Sequence, residues 1–150
     1  MEKIFFTEIL NSDQPRKEKA RLIAERIRTV KKYSWVGLYD VRDSEISIIS
    51  CAGRTEPAFT SFPKGKGLNG KAVILKQTVI VNDINEDDDY LLTFSDTESE
   101  IIVPVFAENT KTVTGTIDAE SEVKNAFGKE DAEFLEECAK AIHSLWNNKE

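Results

Sequence analysis

Between positions 13 and 32, apolar residues recur every three or four places. Ala20, Ile23, Ala24, Ile27 and Val30 share one stripe, and Arg and Lys cover the rest, as in an amphipathic helix. Asp13 is placed to cap it, with Pro15 in the first turn. The period then shortens to two. Over 34–40, Trp35, Gly37 and Tyr39 alternate with Val36 and Leu38, which predicts a strand showing each set to a different face. The polar turn Val41-Arg42-Asp43-Ser44 leads to a second strand at 45–51, and the two form a hairpin. Residues 52–67, with three glycines and two prolines, read as an irregular crossing loop. A short helix at 68–76 and a short strand at 78–82 follow, then a long acidic loop at 83–99 with one helical turn near 90–94. Strands at 101–108 and 112–119 pair across Asn109-Thr110-Lys111. A final helix over about 129–146 turns Phe134, Leu135, Cys138, Ile142 and Leu145 inward, and Glu130, Asp131 and Glu133 suit its N-terminal dipole.

This order implies an α+β sandwich, with a mainly antiparallel sheet carrying the terminal helices on one face. Loops 52–67 and 83–99 must cover the other face. Long loops in a compact domain mark a binding site or lid, so function is expected there. The 150 residues show no repeat, low-complexity tract or linker, and are read as a single domain over 1–150.

A net charge of −7 argues against nucleic acid and anionic membranes as partners, because phosphate binding needs a basic surface. The longest apolar runs, such as 101–107, are far too short to span a bilayer. The start, Met1-Glu2-Lys3-Ile4-Phe5-Phe6, has no signal-peptide core, which gives a cytoplasmic expectation. Cys51 and Cys138 form no CxxC, and His143 is the sole histidine. No zinc site of Cys and His ligands is expected, nor any other metal or cofactor.

Two segments place acids in or beside apolar strands. Glu100 adjoins Ile101, Ile102 and Val103, and Asp118 follows Thr116 and Ile117. A carboxylate there costs several kcal/mol if it loses water without a partner. Either these acids end strands and face solvent, or they line a pocket for something positively charged or rich in donors.

Other motifs fail on chemistry. Gly65-Lys66-Gly67-Leu68-Asn69-Gly70 matches GxGxxG, but no buried strand launches it. The same stretch nearly matches a phosphate loop, yet Ala72 stands where a magnesium-binding hydroxyl is needed. The glycines instead make a tight start to the helix at Leu68. Asp83-Ile84-Asn85-Glu86-Asp87 opens like a calcium loop, but Asp88 and Phe94 occupy its glycine and bidentate-Glu positions. One histidine cannot furnish a nucleophile triad around a pocket. His143 reads as exposed or as compensating the helix end, and both cysteines as packed thiols.

Five motifs in order carry a resemblance. These are Tyr33-Ser34-Trp35-Val36-Gly37-Leu38-Tyr39, Pro63 through Gly70, Val81-Asn82-Asp83, Ser99 through Pro104, and Gly115 through Ser121. Together the chain resembles a GAF domain over residues 14–147, and within that superfamily the free methionine-(R)-sulfoxide reductases. The resemblance implies a six-stranded antiparallel sheet between helices and a homodimer through the terminal helices. It also implies a pocket for a free amino acid. Trp35 and Tyr39 would form its wall, and Glu100, Asp118 and Glu120 would receive polar groups including an ammonium. Trp35 and Tyr39 share a strand face, which suits a cation.

The departure from that family lies in its redox residues. Sulfoxide reduction needs an attacking and a resolving thiol. The reductases carry cysteines at positions matching Phe59, Asn69 and Thr93. Three expectations follow: a non-catalytic sensor of a small polar or amine-bearing metabolite, a residual reductase or other enzyme, and a structural dimerisation module. The first leads, with output through an unidentified partner protein.

Overall fold

The computed structural model describes residues 5–53, 57–86, 94 and 96–147. The alternating run of 34–40 becomes β1 (Trp35–Val41), and its hairpin partner is β2 (Glu45–Ala52). β3 (Ser61–Pro63), β4 (Val79–Val81), β5 (Ser99–Phe106) and β6 (Val113–Ser121) complete one sheet in the order β3-β2-β1-β6-β5-β4. Every neighbouring pair is antiparallel. The central ladder sets Trp35 opposite Glu120, Gly37 opposite Asp118 and Tyr39 opposite Thr116. One register thus gathers the aromatic and acidic candidates.

All seven residues of β1 are buried, because alternate side chains enter different cores. Val36 and Leu38 pack with Ile101, Val103 and Ile117 beneath two helices, α2 (Arg16–Lys31) and α4 (Lys129–Ile142). From these come Ala20, Ile23, Ala24 and Ile27, and Phe134, Leu135, Cys138 and Ile142. Each large aliphatic side chain buried here contributes about 1.5–3 kcal/mol. On the opposite face Trp35 and Tyr39 pack with Val41, Ile46, Phe62 and Val73. A third group, Leu68, Ala72, Val79 and Ile102, seats α3 (Gly67–Leu75) on that same face. Loops alone were expected to cover it; a helix shares the task.

Smaller differences have local causes. The helix expected from Asp13 begins at Arg16, with Pro15 as its extended N-cap residue. Arg16 is drawn inward by a bidentate pair with Asp40, at 2.9 and 2.5 Å, and its Nε donates to the Leu145 carbonyl at 2.8 Å. Val30 lies at the margin of the stripe and is 38% exposed. β3 arises inside the expected crossing loop because Phe62 pairs with Ile46 and fills the aromatic cluster. A single helical turn, α1 (Thr7–Leu10), precedes α2. The last helix ends at Ile142 and continues as a 3-10 turn over His143–Trp146. The turn expected near 90–94, apart from Phe94, lies outside the described residues, as does the acidic run from Asp87. Among the described residues no helix is long and apolar enough to cross a membrane.

Candidate functional site

Period two places Thr116, Asp118 and Glu120 of β6 on one face, and β5 brings Glu100 beside them, opposite Glu120. One oxygen from each of Glu100, Asp118 and Glu120 lies within 4.8 Å of the others. None of the three is more than 3% exposed. The solvent-facing alternative for these acids therefore does not hold.

Their partners come from three elements. The Thr97 hydroxyl donates to Glu120 Oε1 at 2.7 Å. The Asn69 amide donates to Asp118 Oδ2 at 3.1 Å, and the Asn69 carbonyl oxygen accepts from Thr116 Oγ1 at 2.5 Å. This pairing fixes the amide orientation, since an ionised carboxylate only accepts. Asp118 Oδ1 and the indole Nε1 of Trp35 are buried with no hydrogen-bond partner among the described residues. One unspent acceptor and one unspent donor thus lie on the same sheet face.

Burial, followed by the charges of Asp118 and Glu120, pushes the Glu100 carboxyl well above the usual carboxylate range. Burial also raises Asp118, to about 6, although hydrogen bonds from Glu100 and Asn69 act the other way. The Tyr39 hydroxyl is driven far up by burial and then by Asp118, Glu120 and Glu100, so it stays neutral.

Trp35 contacts Tyr39 with ring centroids 6.5 Å apart and Phe94 edge-on at 5.5 Å. Gly37 makes room for the indole, because a Cβ there would lie 2.3 Å from the ring. A cavity of about 20 Å³ opens beside this wall, lined by Tyr39, Phe59, Phe62, Leu68, Asn69 and Glu100 among others. That is room for about one water. Tyr39 and Glu100 thus line the cavity, whereas Trp35, Asp118 and Glu120 are not among its lining residues. Phe59 is a cavity residue and 45% exposed. Thr93 lies outside the described residues.

Sequence reasoning noted Asn69 within the glycine-rich helix start and as a position without a thiol, and passed over Thr97 and Thr116 as site residues. The even spacing of Thr116, Asp118 and Glu120 was a usable signal for Thr116. Nothing local announces Asn69 or Thr97. Cys51 is half-buried against the aromatic cluster, whereas Cys138 is buried in the helix-side core. Burial pushes the Cys138 thiol up to about 12.

The free methionine-R-sulfoxide reductase of Saccharomyces cerevisiae is 34% identical over 113 residues, 73% of this chain and 61% of that protein. The chain therefore spans about three-fifths of that relative's length. The type II free methionine-R-sulfoxide reductase structure from Thermoplasma acidophilum superposes with a TM-score of 0.81 at 30% identity, covering 89% of this chain and 96% of that one. The structure of free methionine-R-sulfoxide reductase from Neisseria meningitidis in complex with its substrate gives 0.83 at 26% identity, covering 95% and 83%. The six-stranded α+β architecture is the one these relatives share. The GAF domain family model matches residues 15–145, and the chain belongs to that family.

Proposed function

We propose that this GAF domain binds a small, polar, amine-bearing metabolite resembling a free amino acid and acts as a non-catalytic sensor. The observation that carries this reading is the buried triad Glu100, Asp118 and Glu120, beside unpartnered Asp118 Oδ1 and Trp35 Nε1. An ammonium group satisfies clustered acids, and a ligand acceptor satisfies the indole N–H. Trp35 and Tyr39 supply an aromatic wall suited to a cation. Several similar proteins are named for free methionine-R-sulfoxide, which favours the amino-acid class. Ligand binding biases a homodimer formed through the terminal helices, or a partner protein, in the cytoplasm.

The non-catalytic part rests on the thiols. Phe59, Asn69 and Thr93 stand where the resemblance implies cysteines. Cys51 and Cys138 pack on opposite faces of the sheet, so neither resolves the other as a disulfide.

Thermal unfolding against free amino acids, both methionine sulfoxide epimers, choline-type amines and cyclic nucleotides tests the binding. Ligand at a hundred times its dissociation constant adds roughly 2.7 kcal/mol. A shift with an amine that Glu100→Gln and Asp118→Asn abolish supports the reading. An unchanged response in both variants removes it.

A second reading, a residual reductase, is favoured only by Cys51, which packs against the Trp35 and Tyr39 cluster. Attack by its thiolate on a sulfoxide sulfur would leave a sulfenic acid on Cys51 and release methionine. An external thiol would then have to reduce that acid. Turnover of methionine-(R)-sulfoxide with added dithiol, lost in Cys51→Ser, would establish this instead.

A further inference from the structure

The triad raises a question of charge that ligand binding alone does not answer. Three buried carboxyls lie with oxygens within 4.8 Å of one another. Among the described residues no Lys or Arg pairs with Glu100 or Asp118. The ion pairs of the fold, such as Arg16 with Asp40, lie elsewhere. From β1 the neighbouring titratable group is the Tyr39 hydroxyl, beyond which lies the Cys51 thiol of β2. From β6 come Asp118 and Glu120. The helix α3 contributes only the neutral Asn69 amide, while its Lys71 lines a separate groove with Ile74 and Leu75. Thr97 adds a hydroxyl. Among the described residues, every ionisable neighbour of Glu100 is therefore an acid or a phenol.

Proximity sets the proton count. Carboxyl oxygens of Glu100, Asp118 and Glu120 lie within 4.8 Å of one another out of water, and buried carboxyls that close favour keeping a proton among them. Asn69 already donates to Asp118 Oδ2, which favours the ionised form of Asp118 and leaves Glu100 as the proton donor. Like charges this close cannot all ionise in a buried site.

We propose that the empty site stores a proton between Glu100 and Asp118 and surrenders it when a cation enters, so that cation binding and proton release are a single event. An incoming positive charge replaces the stored proton, and Glu100 becomes a carboxylate facing it. Site charge then changes little between the empty and filled states. The proposal rests on the cation-binding reading above and adds its regulation: occupancy rises with pH. Asn69 is the positioning residue, since its amide decides which acid keeps the proton.

The test uses the whole chain labelled with 13C. The Glu100 carboxyl is followed by NMR from pH 4 to 9, assigned through its own side-chain carbons. It is followed first in the empty protein, then with L-methionine-(R)-sulfoxide, with ethylamine, and with magnesium or calcium chloride. Binding heats are measured in buffers of different ionisation enthalpy. The expected result is a Glu100 carboxyl still protonated at pH 6 in the empty chain. Saturating probe should ionise it and release close to one proton, with affinity rising about tenfold per pH unit. Release caused by the metal salts alone would uphold the exchange but overturn the amine reading. Probe binding without proton release, or a Glu100 ionised by pH 5 in the empty chain, would overturn the exchange and leave binding intact. Failure of every probe to bind, with Glu100 protonated throughout, would overturn both.

Discussion

Gly115 lies under the indole of Trp146: a Cβ at this position would sit 2.0 Å from Nε1 and 2.6 Å from the Tyr39 carbonyl oxygen. That same Nε1 donates to that carbonyl at 2.9 Å. The C-terminal 3-10 turn is thus fastened to the backbone of the pocket strand. Gly115→Ala should push the indole away, break the bond and cost about 1–3 kcal/mol as overpacking. Gly65→Ala, with open space around its Cβ, should stay within about 0.5 kcal/mol. Urea denaturation of both variants checks the contrast, and equal stability would remove the fastening.

A second attachment runs through Arg16. Its guanidinium joins Asp40 on β1 and its Nε joins the Leu145 carbonyl, with the two side chains 15% and 7% exposed. Without Arg16, Asp40 keeps only the longer contact to Arg42 at 3.5 Å, a poor substitute for a largely buried bidentate pair. Arg16→Ala should lose about 2–4 kcal/mol, and Arg16→Lys should recover little, because a lysine cannot span three acceptors in one plane. Thermal unfolding of the two variants decides this; full recovery by Lys would reduce the pair to simple charge.

The pH dependence of stability follows from Glu100 and Asp118. Both titrate above the ordinary carboxylate range, Asp118 at about 6, and burial is the chief cause. Between pH ~4 and neutrality the native chain therefore binds more protons than the unfolded one. Their contribution is fully present below the unfolded carboxylate range and is lost as pH rises through 6 and beyond. Glu18, lowered by its hydrogen bond from Arg21, and Asp83, lowered by the Asn85 backbone N–H, act at lower pH. Stability of the empty chain should fall by on the order of 2 kcal/mol between pH 5 and 8. In Glu100→Gln the fall should be smaller. Stability that rises over this interval would contradict the burial of the acids.

Removing the Asn69 amide isolates its effect on Asp118. That hydrogen bond lowers the Asp118 midpoint, so Asn69→Ala should move it upward from about 6. It should also leave the Thr116 hydroxyl without its acceptor, a loss of about 1–3 kcal/mol. Carboxyl NMR reads the first effect and denaturation the second. An unmoved midpoint would deny Asn69 its positioning role.

Phe59 is the side chain of the cavity wall with the most exposure to lose. At about 20 Å³ the space is far below the roughly 300 Å³ of an ordinary small-molecule pocket. Phe59→Ala should widen it and alter affinity for any probe without a change in fold. A probe affinity identical to that of the parent would place Phe59 outside the binding path.

Much of this was legible in the chain. The alternation of Trp35 and Tyr39 with Val36 and Leu38 gave β1 its two faces, because strand geometry leaves no other arrangement. The stripe on α2 was equally plain, except that Val30 sits at its margin. What stayed hidden depends on long-range contact. β3 contains a single inward side chain, Phe62, too few for a period to register. Arg16 starts its helix under the pull of Asp40, which no local capping rule contains. Asn69 looked like part of a tight helix start, which it also is; its bonds to Asp118 and Thr116 exist only after α3 docks across the sheet. Glu100 was conspicuous, but its burial required the register with Glu120.

The position of β6 between β1 and β5 has a consequence for how the chain acquires its structure. The β1–β2 hairpin is local and forms from nearby residues. The ladder that joins it to the rest pairs Trp35 with Glu120, across more than half the sequence, and loop closure of that length precedes any reward from contact. During synthesis from the N-terminus, the apolar edge of β1 stays open until β6 has emerged. Asp118 and Glu120 arrive with that last strand, joining Glu100 of β5, so the acidic group is completed only as the sheet zips shut.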